Sequence, residues 1–380
     1  MDLILTEEQS QLQHTVREFV TQHSSTRRLR ALRDARDVIG FSRSLWREMA
    51  KLGWLGIIFP EAHGGLGLGY TDLMVVLEEL GRGLMPEPML STVLLGGTAV
   101  ALGGTPAQQA EVLPPLISGD LLLALAYQEA EGRDNPHHVA TRAAATASGW
   151  RLNGDKLHVL DGYGTDRLVV SARTAGSVAE RDGVTLFLLD ATLPGVSIER
   201  LWRIDSRNAA SVRLRNVAVT PAHVLGAVGN GSRLLDAVLV RATVGLAAEM
   251  LGSMSIALET TIEYLKTRLQ FGVPIGSFQA LKHRAAKMYI ETELARSAVI
   301  AAHKALDAQN DDAAALASVA KARCSDAFVL IADEMVQMHG GIGMTDEHDA
   351  GFFIKRARVA QMTFGTSAYH RNRFAELHSY

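Results

Sequence analysis

Few places in this 380-residue sequence offer groups able to do chemistry. The histidines His137-His138, His348 and His370 share no metal-ligand spacing with a nearby acidic or cysteine partner, so no metal site is expected. Cys324 is the only cysteine, which excludes a disulfide framework and fits a reducing compartment. Residues 53–70 form a glycine-dense stretch that invites a phosphate-loop reading. However, Gly65-x-Gly67 is followed by Tyr70 where a dinucleotide fingerprint needs its third glycine, and no strand-loop-helix setting surrounds it. It reads as turn chemistry. The remaining place is the corner Arg268-Leu-Gln-Phe-Gly-Val-Pro-Ile-Gly-Ser-Phe-Gln279, which gathers Arg268, Gln270 and Gln279. On spacing alone a polar corner of this kind is a structural turn.

Two long helical patterns position that corner. Leu234, Leu235, Val238, Leu239, Leu246, Met250, Met254 and Leu258 recur at helical spacing before it, closed by Tyr264 and Leu265. Beyond Pro274 and Gly276, which break a helix, Leu281, Ala285, Met288, Ile290, Leu294, Val299 and Ile300 resume a similar pattern. The length suits two or three domains. A formal charge of -3 and a sequence pI near 6.5 leave no broad basic face, so nucleic acid is excluded as a partner. No apolar run reaches the ~18 residues of a membrane span, and the start of the chain shows no secretion signal. A soluble, cytoplasmic protein is expected.

Taken in order, Thr6 and Gln9 have capping-box spacing before an apolar face at Leu12, Val16, Phe19 and Val20. A second helix runs through Leu45, Trp46, Met49 and Leu52, and helical patterns return at 73–80 and 90–102. Near residue 120 the period changes. Segments 121–127, 139–146, 149–152, 157–160, 168–172, 184–189 and 212–219 read as strands, with turns at Asn153-Gly154, Asp161-Gly162 and Pro194-Gly195. They predict a compact antiparallel β-domain. From about Gly229 the pattern is helical to the end, broken at 270–277, 308–312 and 340–351, as in a four-helix bundle. The expected fold class is α+β, with a helical domain at 1–120, a β-domain at 121–226 and a bundle at 227–380.

This sequence resembles the acyl-CoA dehydrogenase family over essentially its whole length. The corner matches R-x-x-F-G-x-P-[IL]-x-x-F-Q, and Gln337-Met-His-Gly-Gly-Ile-Gly343 matches Q-x-x-G-G-x-G. Phe59-Pro60-Glu61, Gly64-Gly65-Leu66-Gly67, Glu78-Glu79-Leu80-Gly81-Arg82 and Gly365-Thr366 support the match. The resemblance implies FAD as cofactor, an acyl-CoA thioester as substrate, an electron-transferring flavoprotein as acceptor and a tetrameric assembly. It assigns Arg268, Phe271, Phe278, Gln279, Gln337, Gly340, Gly341, Gly343 and Thr366 to FAD, the two motifs being lent across a dimer interface. The chemistry suits these residues, because an arginine fork pairs with phosphate oxygens and glycines let backbone amides approach an anion.

The family's reaction also needs a carboxylate to take the α-proton while the β-hydrogen leaves as hydride. The usual position, directly before Gly365-Thr366, holds Phe364, and the alternative on the helix leading into the corner holds Ala242. Glu249 and Asp236 lie nearby and read as structural charges. In the β-domain, T-E-P-x-x-G-S-D becomes Tyr127-Gln128-Glu129-Ala130-Glu131-Gly132-Arg133-Asp134. K-x-W-I-T-N becomes Lys156-Leu157-His158-Val159-Leu160-Asp161, in which Leu160 cannot hydrogen-bond a flavin and His158 is either a stacking ring or a structural histidine. Groups lent to a neighbour are present and groups used on a subunit's own flavin are altered. That pattern is similar to the non-base subunit of heteromeric members, such as the small subunit of pimeloyl-CoA dehydrogenase. A heterotetramer with a base-bearing homologue is expected, a self-sufficient homotetramer or a flavin-free structural subunit being the alternatives.

Overall fold

The first helix begins where Thr6 and Gln9 cap each other, each side-chain oxygen accepting from the other's backbone amide at 3.2 Å. Two amides that a helix start leaves without partners are thereby satisfied. In the computed structural model, which describes residues 5–24 and 26–380, this is α1 (Glu7–His23). It is followed by α2 (Thr26–Asp34), α3 (Arg43–Lys51), α4 (Tyr70–Arg82), a π-helical stretch Met89–Gly97, α5 (Thr98–Gly103) and α6 (Pro106–Ile117). Neither α2 nor α6 is evident in the sequence. Arginines interrupt the apolar period of α2, and Pro114 and Pro115, residues disfavoured inside a helix, sit in the last turn of α6. The chain divides into two units, one of Met1–Ala31, Tyr70–Met85 and Thr243–Tyr380, the other of Leu32–Gly69 and Pro86–Ala242.

In the first unit the Glu78-Glu79-Leu80-Gly81-Arg82 motif proves to be a packing device. Buried Glu79 receives Arg17 of α1 through two bonds of 3.0 and 2.6 Å, and Glu78 receives Arg296 at 2.7 Å. Gly81 and Gly252 let α4 meet α7 (Gly231–Thr267) backbone to backbone. A Cβ on Gly81 would lie 2.0 Å from the Glu249 carbonyl oxygen, and one on Gly252 would lie 1.7 Å from that of Glu78. Because neither helix backbone can yield locally, Gly252→Ala is expected to cost about 3 kcal/mol, measured as a shift in urea unfolding.

The helices α8 (Gln279–Asp307), α9 (Ala313–His339), α10 (Ala350–Met362) and α11 (Ser367–Leu377) complete this unit. The expected bundle is present, with one more break, at 363–366. The buried stripe of α8 runs through Met288, Thr292, Ala295 and Val299. Ile290 and Leu294 do not join it, contrary to the periodic reading. They are 55% and 50% exposed and share the outer face of α8 with Tyr289.

The second unit holds an eight-stranded sheet of order β6-β7-β3-β2-β4-β5-β8, with β1 pairing β4. The strands are β1 (Leu123–Ala126), β2 (Arg142–Thr146), β3 (Gly149–Leu160), β4 (Arg167–Arg173), β5 (Val184–Asp190), β6 (Val196–Trp202), β7 (Asn208–Val219) and β8 (Val224–Leu225). Two expectations are corrected. The sheet is mixed, because β1 runs parallel to β4 and a single β2–β4 pair is also parallel. Asn153-Gly154 is no turn: it lies inside β3, which stays paired with β2 and β7 and takes up the irregularity as a register shift between Leu152 and Gly154. Val170, Phe187, Leu189, Val212 and Leu214 centre the core under this sheet.

Two buried cations brace the unit. Lys156 is fully buried and donates to Glu129 at 2.6 Å and to Ser171 Oγ at 2.9 Å. Burial pushes its ammonium down to about 8 against the opposing pull of Glu129. Arg173 donates to the carbonyls of Val139, His137, Val178, Glu180 and Asp182, tying the 175–183 loop to the strand end.

Candidate functional site

The Arg268 corner is a miniature hairpin in the first unit. Its strands β9 (Leu269–Gln270) and β10 (Val273–Pro274) pair antiparallel, and the chain reverses at Phe271 (φ 53°) and Gly272 (φ 79°). A phenylalanine in the left-handed region is uncommon. Phe271 is 89% exposed and stands edge-on to Phe278, with centroids 6.0 Å apart. Arg268 and Gln337 are exposed, and neither side chain has a hydrogen-bond partner among the described residues. Gln279 is exposed at the start of α8.

The second motif closes α9 and continues as the turn Gly340–Met344. A Cβ on Gly340 or Gly341 would meet nothing within 4 Å, so the backbone there borders open space; Gly340 has φ +64° and its amide caps α9 by donating to the Gln337 carbonyl. Gly343 differs. It is buried, and its Cβ would lie 2.6 Å from the Val336 carbonyl oxygen, so its smallness serves the helix end. Tyr264, four residues before Arg268, donates its hydroxyl to the His339 carbonyl at 3.3 Å. This bond brings the two motifs together in one chain.

Phe364 and Ala242 occupy the expected base positions, and Glu249 and Asp236 are the two carboxylates near Ala242 in sequence. Phe364 stands in a left-handed turn (φ 61°) followed by Gly365 (φ 108°) and Thr366, whose hydroxyl oxygen accepts from the Tyr369 amide as the cap of α11. Ala242 is fully buried on α7. Glu249, also buried, faces the equally buried Arg356 at 3.3 Å. Asp236 accepts from Arg181 and lies 3.1 Å from His137 Nε2. These two partners hold its carboxyl below the usual range although burial alone would raise it. Both are held in ion pairs. Arg356→Leu is expected to remove the buried cation that faces Glu249, at a cost of about 3 kcal/mol, measurable by denaturant unfolding.

Sequence reasoning missed what holds the Phe364 turn. Lys321, fully buried, donates to the carbonyls of Gly365 (2.9 Å) and Gln361 (3.2 Å), while His370 Nε2 donates to that of Phe364 at 3.0 Å. The available signal was a lysine set in the apolar run 317–322, where a solvated charge is out of place.

In the second unit His158 is exposed on a bulge of β3 with φ 51°, whereas Leu160 is buried. Asp161, also buried, accepts from Ser91 at 2.7 Å. Among the described residues no group of three or more His, Cys, Asp or Glu could hold a metal ion, and no helix is long and apolar enough to cross a membrane.

Three family models match in sequence order. The acyl-CoA dehydrogenase N-terminal domain covers residues 6–120, the middle domain 124–217 and the C-terminal domain 229–377. The chain belongs to the acyl-CoA dehydrogenase family. Isovaleryl-CoA dehydrogenase of Pongo abelii mitochondria is 30% identical over 97% of this chain and 88% of its own length. A steroid acyl-CoA dehydrogenase solved as Tcur3481-Tcur3483 is 34% identical, with a TM-score of 0.87 over 98% of each chain. The ChsE4-ChsE5 complex of Mycobacterium tuberculosis is 28% identical, with a TM-score of 0.87 over 100% of this chain and 99% of that one.

FAD is the cofactor of this acyl-CoA dehydrogenase family. The uncommitted arginine, the exposed amide of Gln337 and the open space beside Gly340 and Gly341 fit its diphosphate, which needs donors rather than carboxylates.

Proposed function

We propose that this chain is the subunit of an acyl-CoA dehydrogenase that lacks the catalytic carboxylate and completes the FAD site of a base-bearing partner. The observation that carries the reading is a division of labour. The side chains that would be lent outward, Arg268 and Gln337, are exposed and uncommitted and stand beside the exposed Gly340 and Gly341, whereas Phe364 and Ala242 occupy the base positions and Glu249 is held by Arg356. When bound, FAD accepts the β-hydrogen of the thioester as hydride. The partner's carboxylate takes the α-proton, and this chain's part is to hold the diphosphate and adenosine. The outer stripe of α8, with Tyr289, Ile290 and Leu294, together with the exposed Phe271 and Phe278, suits burial against another subunit of a heterotetramer. Solved relatives that bear paired names lend support, and an electron-transferring flavoprotein would reoxidise the cofactor.

Arg268→Ala in the co-purified assembly tests the reading. Loss of a forked, charge-assisted contact with phosphate is expected to weaken FAD binding by about 10- to 100-fold, read as flavin absorbance retained after dialysis. Unchanged FAD content would refute it.

A further inference from the structure

Three stacked rings join the two segments that carry the exposed cofactor groups. His339, the last residue of α9, is buried between Tyr264 and His348, each ring centroid 4.3 Å from its own, at interplanar angles of 34° and 43°. His339 Nδ1 donates to the Met335 carbonyl at 2.7 Å, so the neutral ring carries its lone pair on Nε2. His348 Nδ1 accepts the Ala350 amide of the first turn of α10 at 3.1 Å, which places its proton on Nε2. We infer that Tyr264, His339 and His348 are positioning residues that set the Gly340–Met344 turn against the Arg268 corner, and that this register holds only while His348 is neutral.

The chemistry of the stack gives the reason. A second proton on His348 must go to Nδ1, which turns the acceptor of the Ala350 amide into a donor facing a donor. The Ala350 amide at the start of α10 then loses its acceptor. A second proton on His339 goes to Nε2, and two stacked imidazolium rings repel. Both rings lie below the ordinary histidine range, burial being the main cause, with His348 also depressing His339 and Asp349 opposing the effect at His348. His348 further lines a cavity of about 410 Å³ with Arg17, Glu79, Arg82 and Asp349, which gives protons a route to its ring. The charges around it are paired. Glu79 holds Arg17 and lies 3.5 Å from Arg82, and Asp349 accepts from Arg30 and Thr26. Asp349, the carboxylate that opposes the shift at His348, is thus itself compensated.

The inference rests on the proposed role of these segments in holding nucleotide, but its test does not depend on that role. Amide hydrogen exchange of the full chain in its co-purified assembly is compared near pH 7.5 and near pH 5.5, corrected for intrinsic rates. Protection of residues 340–345 is expected to fall about tenfold in acid in the wild type. It is expected to change less than about twofold in His348→Asn, whose amide oxygen accepts from the residue two positions on without titrating, and in His348→Phe, which keeps a ring. Wild-type protection that does not change, or a fall of the same size in both variants, overturns the inference. FAD released over the same pH range from the wild type and not from His348→Asn would tie the register to the cofactor. Arg268→Ala assemblies that kept their FAD would defeat the cofactor reading alone, the exchange result still deciding the register.

Discussion

Purified alone, the chain is expected to dehydrogenate acyl-CoA thioesters at least about 10³-fold more slowly than when it is co-purified with a base-bearing homologue. The size follows from what a positioned carboxylate contributes to proton transfer, and from its absence here at both expected positions, Phe364 and Ala242. Flavin absorbance in the same preparations should show little FAD in the lone chain and about one FAD per pair of unlike chains. Glu249→Gln sharpens the result. If Glu249 acts only as the partner of Arg356, turnover of the pair stays within about twofold of wild type once stability is allowed for; a relocated base would lose the full factor. One tightly held FAD per chain with full turnover in the lone protein would refute the half-site reading and favour a self-sufficient enzyme.

Much of this was legible from sequence, for physical reasons that differ from element to element. The order of helical, β and helical regions followed from hydrophobic period, which survives because each element buries one face. The corner was legible because Pro274 and Gly276 cannot continue a helix, and the expected cap at Thr6 and Gln9 formed as read. The misreadings share one cause: local signals were overruled by distant partners. Asn153-Gly154 carries turn chemistry, yet pairing with β2 on one side and β7 on the other keeps β3 continuous through it. The parallel alignment of β1 with β4 joins residues about 44 apart in sequence, as Leu123 with Arg167, and no local pattern encodes it. Ile290 and Leu294 fit a helical period but lie outside the buried stripe, since periodicity does not say which chain covers a face. At the candidate site the motif glycines were legible as a group. Separating the open Gly340 and Gly341 from the packed Gly343 needed the positions of neighbouring carbonyls.

Acid should destabilise the folded chain by about 4 kcal/mol between pH 7.5 and pH 5 through two buried histidines. His303 and His370 are each 1% exposed. Burial pushes His303 down to about 4, and burial followed by the nearby Lys321 pushes His370 down to about 3. Each is a neutral ring with its N–H committed, His303 Nδ1 to the Val299 carbonyl at 2.8 Å and His370 Nε2 to that of Phe364 at 3.0 Å. In the unfolded chain both titrate near the ordinary value of about 6.5. Since the folded values lie below the unfolded ones, the unfolded state binds protons first. Stability is complete above pH 6.5 and is lost as pH falls from there toward 4 and 3, by about 2 kcal/mol per histidine at pH 5. Lys156, depressed to about 8, acts only at higher pH, where its neutral form favours folding, so it does not mask the effect. Denaturant unfolding at the two pH values measures this loss together with that from the depressed His339 and His348, and His370→Gln isolates the part due to His370, because glutamine still donates to the Phe364 carbonyl but cannot take up a proton. That variant should lose about 2 kcal/mol less than the wild type on acidification. An equal loss in both proteins would show that the turn at Phe364 is held by Lys321 alone, and that acid acts elsewhere in the fold.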